Sequence, residues 1–302
     1  MMFKGFNLPL EGIIVPMVTP FDTNENLDKD GIIQVTEWLI EQGVHGLFVA
    51  GSTGEVARLT IEERKKLLDT VLDVAKGKIG IFFGVGCPST KHTIELIEYA
   101  KDAGADAAVV IPPYYYKPGD KALLKHYEII SRKARDYPLI IYDIPAYSGY
   151  RLSDEILERI ADLDNVVGFK DSSGDMSRFI KILSKIGNKI AILQGWDIYE
   201  IPSFILGAPG GVFGIGNIIG KYEVQIYNYL KEKELEKAIE VFKSILPLIE
   251  FFMRKGMFPK ALKEALNIIG IHAGVPREPY RDLSKEEKEE LLNLLHNLKL
   301  IR

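Results

Sequence analysis

The segment VVGFKDSSGDMSRFIKILSKI, residues 166–186, holds one strand and one helix, and its pattern decides how the chain folds. It opens with a short β-branched, apolar run that ends at Lys170. A stretch of helical period follows from Met176 to Ile186. A short apolar strand followed by an amphipathic helix is the repeating unit of a parallel sheet.

This unit recurs eight times along the chain. The predicted strands are residues 12–19, 45–51, 79–86, 107–113, 138–145, 166–170, 189–195 and 210–214. Helices are predicted at residues 28–43, 60–75, 89–103, 120–134, 176–186 and 197–206, with another after a Ser153 cap. Eight such units with apolar strands predict an α/β fold, a (β/α)8 TIM barrel. An open, doubly wound sheet is the alternative, but the turn after the first strand lacks the glycines that such a sheet normally shows there.

Three or four further helices follow the eighth strand, near residues 219–232, 234–254, 258–270 and 284–298. We therefore expect a barrel at residues 1–225 and a C-terminal helical region at residues 226–302 that packs on it. A separate small domain is the alternative for the second region.

The composition argues against several classes of protein. The formal net charge is −4 and the sequence pI is near 5.9, and no stripe of Lys and Arg indicates nucleic-acid binding. The single cysteine, Cys87, cannot form an internal disulfide, which agrees with a reducing compartment. Glu11 breaks the apolar character that a signal peptide would need, and no apolar run reaches the ~18 residues of a membrane-spanning helix. We expect a cytoplasmic protein without nucleic-acid or membrane partners.

Active sites of barrels lie at the carboxyl ends of the strands, and Lys170 ends the sixth predicted strand. We expect its stem to lie against Val166, Gly168 and Phe169. Burial disfavours the ammonium, lowers the pKa and leaves a neutral amine that can form a Schiff base with a ketone. The alternative from strand position alone is a lysine whose amine extends into solvent.

Three other strand ends carry chemical groups. Tyr142 ends the fifth strand, where its phenol can pass protons, although a core tyrosine with a satisfied hydroxyl is equally consistent. The turn GSTGE, residues 51–55, can present N–H and hydroxyl donors to a carboxylate, and a plain turn is the alternative. The aromatic loop PPYYYKP, residues 112–118, is typical of an exposed interface.

We expect neither a metal nor a cofactor. The histidines show no ligand spacing, and the acidic residues do not cluster as ligands for a hard cation. The segment GVFGIGNIIG, residues 211–220, lacks the spacing of a dinucleotide-binding motif.

Four motifs in this order resemble a known family over about residues 10–300: GSTGE, PPYYYKP, Y-x-I-P-x-x-S-G and GFKDSSGD. The chain is similar to the class I pyruvate-dependent aldolases of the dihydrodipicolinate synthase and N-acetylneuraminate lyase family. The resemblance implies a (β/α)8 barrel with a C-terminal helical appendage, a keto acid substrate and a homotetramer.

The resemblance also implies roles for individual residues. Lys170 matches the Schiff-base lysine that condenses with pyruvate, and Tyr142 matches the proton-relay tyrosine. Tyr115 matches the tyrosine that reaches across a subunit interface into the neighbour's relay. The matches to substrate-binding positions are Ser52 and Thr53 for the pyruvate carboxylate, and Gly195 and Val212 for the pocket wall.

Departures from the family pattern bear on the substrate. Members that make dihydrodipicolinate carry an arginine where this chain has Tyr147, although Arg151 lies nearby. Sialic acid lyases carry a glutamate where this chain has Ile198, after Asp197. The chain therefore looks most like the 2-keto-3-deoxy sugar acid aldolases. Asp143 stands where the family usually has asparagine, and the sequence offers no explanation for it.

We therefore expect reversible cleavage of 2-keto-3-deoxygluconate, or a close relative, to pyruvate and glyceraldehyde. Candidates for binding the sugar hydroxyls are Tyr147, Ser172, Ser173 and Asp197. The alternatives are 4-hydroxy-tetrahydrodipicolinate synthase, sialic acid lyase, a keto-deoxy sugar acid dehydratase, and a non-catalytic sugar-acid binding protein.

Overall fold

Eight parallel strands close into a barrel in the computed structural model, which describes residues 2–8, 10–254 and 257–301. We number the strands β1–β8: Gly12–Pro16, Gly46–Val49, Gly80–Gly84, Ala107–Val110, Leu139–Asp143, Val166–Asp171, Ala191–Gln194 and Gly210–Val212. Each strand pairs with the next one in the sequence, and β8 pairs with β1 through Val212 and Ile14. The predicted (β/α)8 TIM barrel is therefore confirmed.

Helices connect the strands and cover the outside of the barrel. We number the α-helices longer than one turn α1–α11: Lys29–Glu41, Ile61–Ala75, Thr90–Ala103, Asp120–Lys133, Asp154–Ala161, Met176–Ile186, Glu200–Ile205, Gly216–Lys231, Leu235–Met253, Lys260–Ile268 and Lys285–Asn297. The shorter elements are the antiparallel pair Met2–Phe3 and Phe6–Asn7, the one-turn helix Pro145–Ser148, and the 3₁₀ turns Val56–Arg58 and Asp197–Tyr199. Thr60 and Ser153 cap α2 and α5 as expected, because their hydroxyls accept N–H groups of the first turn.

Several observed strands end earlier than predicted. The first strand, predicted at residues 12–19, ends at Pro16, yet Met17 and Val18 are fully buried in the following loop. The apolar pattern reports burial, and burial continues here after the strand pairing has stopped. The loops at these ends are therefore longer than the sequence indicates.

Two helices in the second half of the chain also differ from the prediction. The helix predicted at residues 197–206 is divided into a 3₁₀ turn and α7, because Pro202 lacks an N–H group and is tolerated in the first turn of a helix. The helix predicted from residue 219 begins at Gly216, within a glycine-rich stretch that resembles a loop in sequence.

The sheet separates two apolar clusters. The inner cluster fills the barrel and includes Ile14, Phe48, Phe82, Val109, Ile140, Tyr142, Val167, Leu193 and Val212. The outer cluster lies between the strands and the helices. Because successive residues of a strand face opposite sides, Phe169 lies in the outer cluster while Lys170 faces the rings of Phe48 and Tyr142. The strand pattern thereby brings a charged side chain into the interior.

The C-terminal helices pack against the side of the barrel where β1 lies. α8 lies along β1, and α9 and α10 pack against α8. α8 crosses the expected boundary between residues 225 and 226, and the division into two regions stays a prediction. Within the described ranges, no helix is long and apolar enough to cross a membrane.

Candidate active site

Lys170 lies at the carboxyl end of β6, inside the barrel. Its side chain is buried, with 4% of the residue exposed. The Nζ atom lies 4.0 Å from the centre of the Tyr142 ring and 5.0 Å from that of Phe48. Burial disfavours the ammonium and lowers the pKa of Lys170 to about 7, while the nearby Asp197 carboxylate opposes the shift. A large share of this amine is therefore neutral and nucleophilic at neutral pH.

The expected packing of the lysine stem against Val166 and Phe169 is wrong. Both residues lie in the outer cluster, on the other side of the sheet from the amine. Phe169 faces outward because it is adjacent to Lys170 in an alternating strand, and the pairing of β5 with β6 is irregular near Val166. The ring of Phe48 does pack against the amine, but nothing in the sequence around Phe48 distinguishes it from other core phenylalanines.

Tyr142 lies on β5, directly opposite Lys170 in the strand register. Its side chain is buried, and its ring forms an edge contact with Phe48. Burial raises the pKa of Tyr142 to about 12, while hydrogen bonding with the Ser172 and Ser52 hydroxyls acts in the opposite direction. The phenol is therefore protonated at neutral pH and lies among hydroxyls that can pass a proton.

The GSTGE loop lies beside this phenol, at the carboxyl end of β2. The Ser52 hydroxyl lies near enough to the phenol of Tyr142 to lower its pKa. The Thr19 hydroxyl donates a hydrogen bond of 2.7 Å to the Gly54 carbonyl, which ties the loop to the end of β1. Thr53 lies near the end of β8, since a Cβ added to Gly214 would lie 3.7 Å from its hydroxyl oxygen. The loop thus connects three strand ends around the barrel mouth.

Gly195 allows β7 to approach the lysine closely. A Cβ at this position would lie 2.1 Å from the Ser172 hydroxyl oxygen and 3.2 Å from Lys170 Cε. The Gly195 N–H donates to the Asp171 carbonyl at 2.8 Å. Gly195 and Ser172 therefore form a wall beside the amine, and Val212 belongs to the inner cluster that underlies it.

Asp197 lies in the loop that follows β7. Its Oδ1 atom accepts a hydrogen bond of 2.8 Å from the backbone N–H of Ile215. Burial raises the pKa of Asp197 to about 6, and the backbone N–H groups and the Lys170 ammonium oppose that shift. The carboxyl group and the amine therefore influence each other's charge.

Two predicted residues lie away from this buried cluster. Tyr147 is 63% exposed, on the one-turn helix Pro145–Ser148 at the rim. Tyr115 is 86% exposed, and its ring packs edge-on against Tyr116 with 4.9 Å between the centroids. The φ angle of Tyr115 is +77°, which is uncommon for a bulky residue. Within one chain, Tyr115 therefore lies at the surface, away from the buried side chains of Lys170 and Tyr142.

The structure explains Asp143, which the sequence could not. Arg178, on α6, places Nη1 2.9 Å from Asp143 Oδ2 and 3.6 Å from Asp171 Oδ2. Burial raises the pKa of Asp143 to about 6, and the guanidinium opposes the shift. Asp143 is therefore the charge partner of a buried arginine, and only the fold shows that the two residues meet.

Arg151 lies in a different environment from Lys170. Its Nη1 atom is 3.1 Å from Asp175 Oδ2, and its side chain is 43% exposed. It borders a cavity of about 280 Å³ whose lining includes neither Lys170 nor Tyr142. Arg151 is thus already paired, outside the lysine pocket.

Two buried carboxyl groups near Asp197 also escaped prediction. The carboxyl oxygens of Glu200 and Glu223 have no hydrogen-bond partner among the described residues. Burial raises the pKa of both groups well above their ordinary range and so favours their protonated forms. Over the part of the chain that the structure describes, no group of three or more His, Cys, Asp or Glu side chains is arranged to hold a metal ion.

Curated relatives match nearly the whole chain. An uncharacterized DapA-like lyase from Pyrobaculum arsenaticum is 34% identical over 303 residues, which cover 97% of this chain and 100% of that protein. A 4-hydroxy-tetrahydrodipicolinate synthase from Methanothermobacter thermautotrophicus is 34% identical over 267 residues, which cover 87% and 94%.

Solved structures also match this chain over nearly its whole length. The chloride-inhibited dihydrodipicolinate synthase from Acinetobacter baumannii, in complex with pyruvate, gives a TM-score of 0.91 at 32% identity and covers 97% of this chain and 100% of that one. CdNal from Clostridium difficile, in complex with mannosamine, gives 0.89 at 27% identity and covers 95% and 98%. Residues 9–298 match the model of the dihydrodipicolinate synthetase family, whose members are pyruvate-dependent aldolases and lyases. The chain therefore belongs to the dihydrodipicolinate synthetase family, and it is an enzyme of the carbon–carbon lyase type.

Proposed function

We propose that this enzyme is a class I aldolase that reversibly cleaves a 2-keto-3-deoxy sugar acid, such as 2-keto-3-deoxygluconate, to pyruvate and an aldehyde. The observation that carries the proposal is the buried amine of Lys170, with its pKa lowered to about 7, beside the phenol of Tyr142. A nucleophile and a proton carrier on neighbouring strands are the two groups that imine-based cleavage requires.

The proposed reaction begins when the neutral Nζ of Lys170 adds to the C2 keto carbon of the substrate. Loss of water gives the imine, and its protonated form accepts the electron pair of the C3–C4 bond as that bond breaks. The C4 hydroxyl proton passes through Tyr142, and the aldehyde leaves. The enamine then takes a proton at C3, and water hydrolyses the imine to release pyruvate and free Lys170. Tyr142 acts as a relay because its raised pKa keeps the phenol protonated between transfers.

The carboxylate of the keto acid is proposed to bind at the GSTGE loop. The hydroxyls of Ser52 and Thr53 supply donors there, and the Ser52 hydroxyl lies near the phenol of Tyr142. A carboxylate at this position leaves the C2 carbon facing the barrel interior, where Lys170 lies. Gly195 and Ser172 then form the wall along which the rest of the substrate extends.

The sugar-acid assignment is supported by what surrounds the distal part of the site. Tyr147, and not an arginine, stands on the rim, while Arg151 is paired with Asp175. A second substrate carboxylate therefore has no free guanidinium among these positions, whereas Ser172 and Asp197 offer partners for hydroxyl groups. This arrangement supports the proposal of a polyhydroxylated substrate.

A second candidate is 4-hydroxy-tetrahydrodipicolinate synthase, which condenses pyruvate with aspartate semialdehyde. It is supported by the name of the relative from Methanothermobacter thermautotrophicus. Lys170 and Tyr142 would serve both reactions, because each starts from an imine of a 2-keto acid. The two candidates share the pyruvate imine and differ in the aldehyde with which it reacts.

The test combines trapping with product analysis. Borohydride is expected to fix pyruvate on the native enzyme, with the covalent mass increase mapped to the peptide that contains Lys170. The Lys170→Ala variant should trap nothing, and Lys181→Ala, an α6 control, should trap normally. Pyruvate release from 2-keto-3-deoxygluconate supports the sugar-acid assignment. Condensation with aspartate semialdehyde alone would replace it with the synthase, and trapping in Lys170→Ala would overturn the mechanism.

A further inference from the structure

Glu55, the last residue of the GSTGE loop, has an unusual backbone and a buried charge. Its φ angle is +60°, in the left-handed region that few residues other than glycine adopt. Its side chain is 2% exposed. A buried carboxylate and a sparsely populated backbone conformation both persist only when their surroundings hold them in place.

The partners that hold Glu55 come mainly from the C-terminal helical part of the chain. Lys263, on α10, places its Nζ atom 2.7 Å from Glu55 Oε1. The backbone N–H of Arg277 donates to Glu55 Oε2 at 3.0 Å. The third contact is local, since Arg58 Nη1 lies 2.9 Å from the same oxygen. Two of the three donors are therefore more than 200 residues away in the sequence.

Lys263 is itself held in one position. Its ammonium donates to the Val275 carbonyl at 2.8 Å and lies 4.4 Å from the centre of the Phe21 ring. Burial lowers the pKa of Lys263 to about 8, while Glu55 opposes the shift, so the ammonium is mostly charged at pH 7. The guanidinium of Arg277 packs on the same ring at 4.3 Å and binds Glu63 on α2.

The position of Glu55 determines the shape of the loop. Its N–H donates to the Ser52 carbonyl at 3.1 Å, and the N–H of Val56 donates to the Gly51 carbonyl at 3.2 Å. These bonds close a tight turn around Ser52 and Thr53. Because the loop contains two glycines, its backbone has little conformational preference of its own, and an external anchor is needed to fix the hydroxyls.

We propose that Lys263 is a positioning residue for the keto acid carboxylate, which it serves by anchoring Glu55 and thereby the hydroxyls of Ser52 and Thr53. This inference rests on the proposed function, because it assigns those hydroxyls to the carboxylate. A purely structural ion pair could be replaced by apolar groups without affecting pyruvate binding. The anchored loop, in contrast, links the C-terminal helices to substrate affinity.

The experiment measures borohydride trapping of pyruvate at pH 7 as a function of pyruvate concentration. In Lys263→Met we expect the half-saturating concentration to rise at least about tenfold, because a small displacement of a binding group has a large effect. The rate at saturating pyruvate should stay within about twofold of native, since the surroundings of Lys170 are unchanged. The control is Lys260→Met, on the same helix as Lys263. It removes a lysine that pairs with Glu264 and Asp282, and it should behave like the native enzyme.

A double variant distinguishes weaker pyruvate binding from loss of folding. Lys263→Met leaves the Glu55 charge without its main partner, whereas Glu55→Gln with Lys263→Met removes both charges. We expect this pair to remain folded, by circular dichroism, and to keep the raised half-saturating concentration. Native affinity in the folded double variant would overturn the inference. Failure of the native enzyme to trap pyruvate would instead overturn the proposed function, and the inference with it.

Discussion

At the scale of single residues, the chemistry of the site depends on one amine between two aromatic rings. Phe48 and Tyr142 exclude water from Lys170, and the Asp197 carboxylate partly compensates by favouring the ammonium. Burial and charge therefore act in opposite directions on the same pKa. Because the value lies near 7, small changes in either effect alter the fraction of neutral amine under working conditions.

Replacing Asp197 with asparagine is expected to shift the pH dependence of imine formation. The neutral amine reacts, so the trapping rate should rise with pH through about 7 in the native enzyme. Removing the carboxylate removes the effect that raises the pKa of Lys170, so the rise should move to lower pH by about one unit. Trapping rates measured from about pH 5 to about pH 9 provide the measurement. Asp162→Asn, at an exposed pair with Lys189, should leave the profile unchanged. A shift to higher pH would contradict the assignment.

At the scale of elements, the carboxyl ends of β5 and β6 are held by a helix. Arg178 on α6 contacts Asp143 and Asp171, and its Nη2 atom donates to the Leu152 carbonyl at 2.8 Å. One guanidinium thus joins two strands and the loop before α5. These are the strands that carry Tyr142 and Lys170, so the register of the two groups depends on this contact.

Replacing Arg178 with methionine is expected to destabilise the protein by about 3–5 kcal/mol, because it leaves two buried carboxylates unpaired. Thermal and denaturant unfolding provide the measurement. Asp143→Asn in the same chain should recover part of the loss, since it removes one of those charges. The control is Lys185→Met on the same helix, which removes an exposed pair with Glu158 and should cost little stability. Equal losses in the two single variants would refute a special role for Arg178.

At the scale of the whole molecule, the exposed aromatic pair Tyr115 and Tyr116 predicts assembly. Two tyrosines that are 86% and 76% exposed, one with an uncommon backbone conformation, are typical of a contact that a neighbouring chain covers. We propose a homotetramer in which Tyr115 completes the site of a neighbouring chain. This would explain why a single chain leaves Tyr115 remote from Tyr142.

Sedimentation is expected to give a mass about four times the chain mass of 34.0 kDa. Tyr115→Ser combined with Tyr116→Ser should yield smaller species and at least about tenfold lower activity, because the relay loses its outer member. Leu292→Ser, at a partly exposed position on α11, should keep the native mass. A native enzyme that is monomeric and fully active would rule out this role for Tyr115.

The sequence alone predicted the architecture and singled out Lys170 and Tyr142 as candidate site residues. Eight apolar runs alternating with helical periods allow few folds other than a barrel, because a sheet of such strands must be covered on both faces. Lys170 and Tyr142 could be found because each places a polar group at the end of an apolar strand. In both cases the strand position is local information, and the resemblance to the family supplied the catalytic role.

Only the tertiary structure decided which distant residues surround those groups. Phe48 beside Lys170, Arg178 beside Asp143, and Lys263 beside Glu55 are pairs whose members lie far apart in the chain. Phe48, Arg178 and Lys263 are ordinary in their own segments, so no pattern marks them. The expected contact between Lys170 and Phe169 is also absent, because alternation along the strand turns Phe169 to the other side of the sheet. The physical reason is common to all of these cases: burial and charge pairing depend on distance in space, and the closed barrel sets that distance.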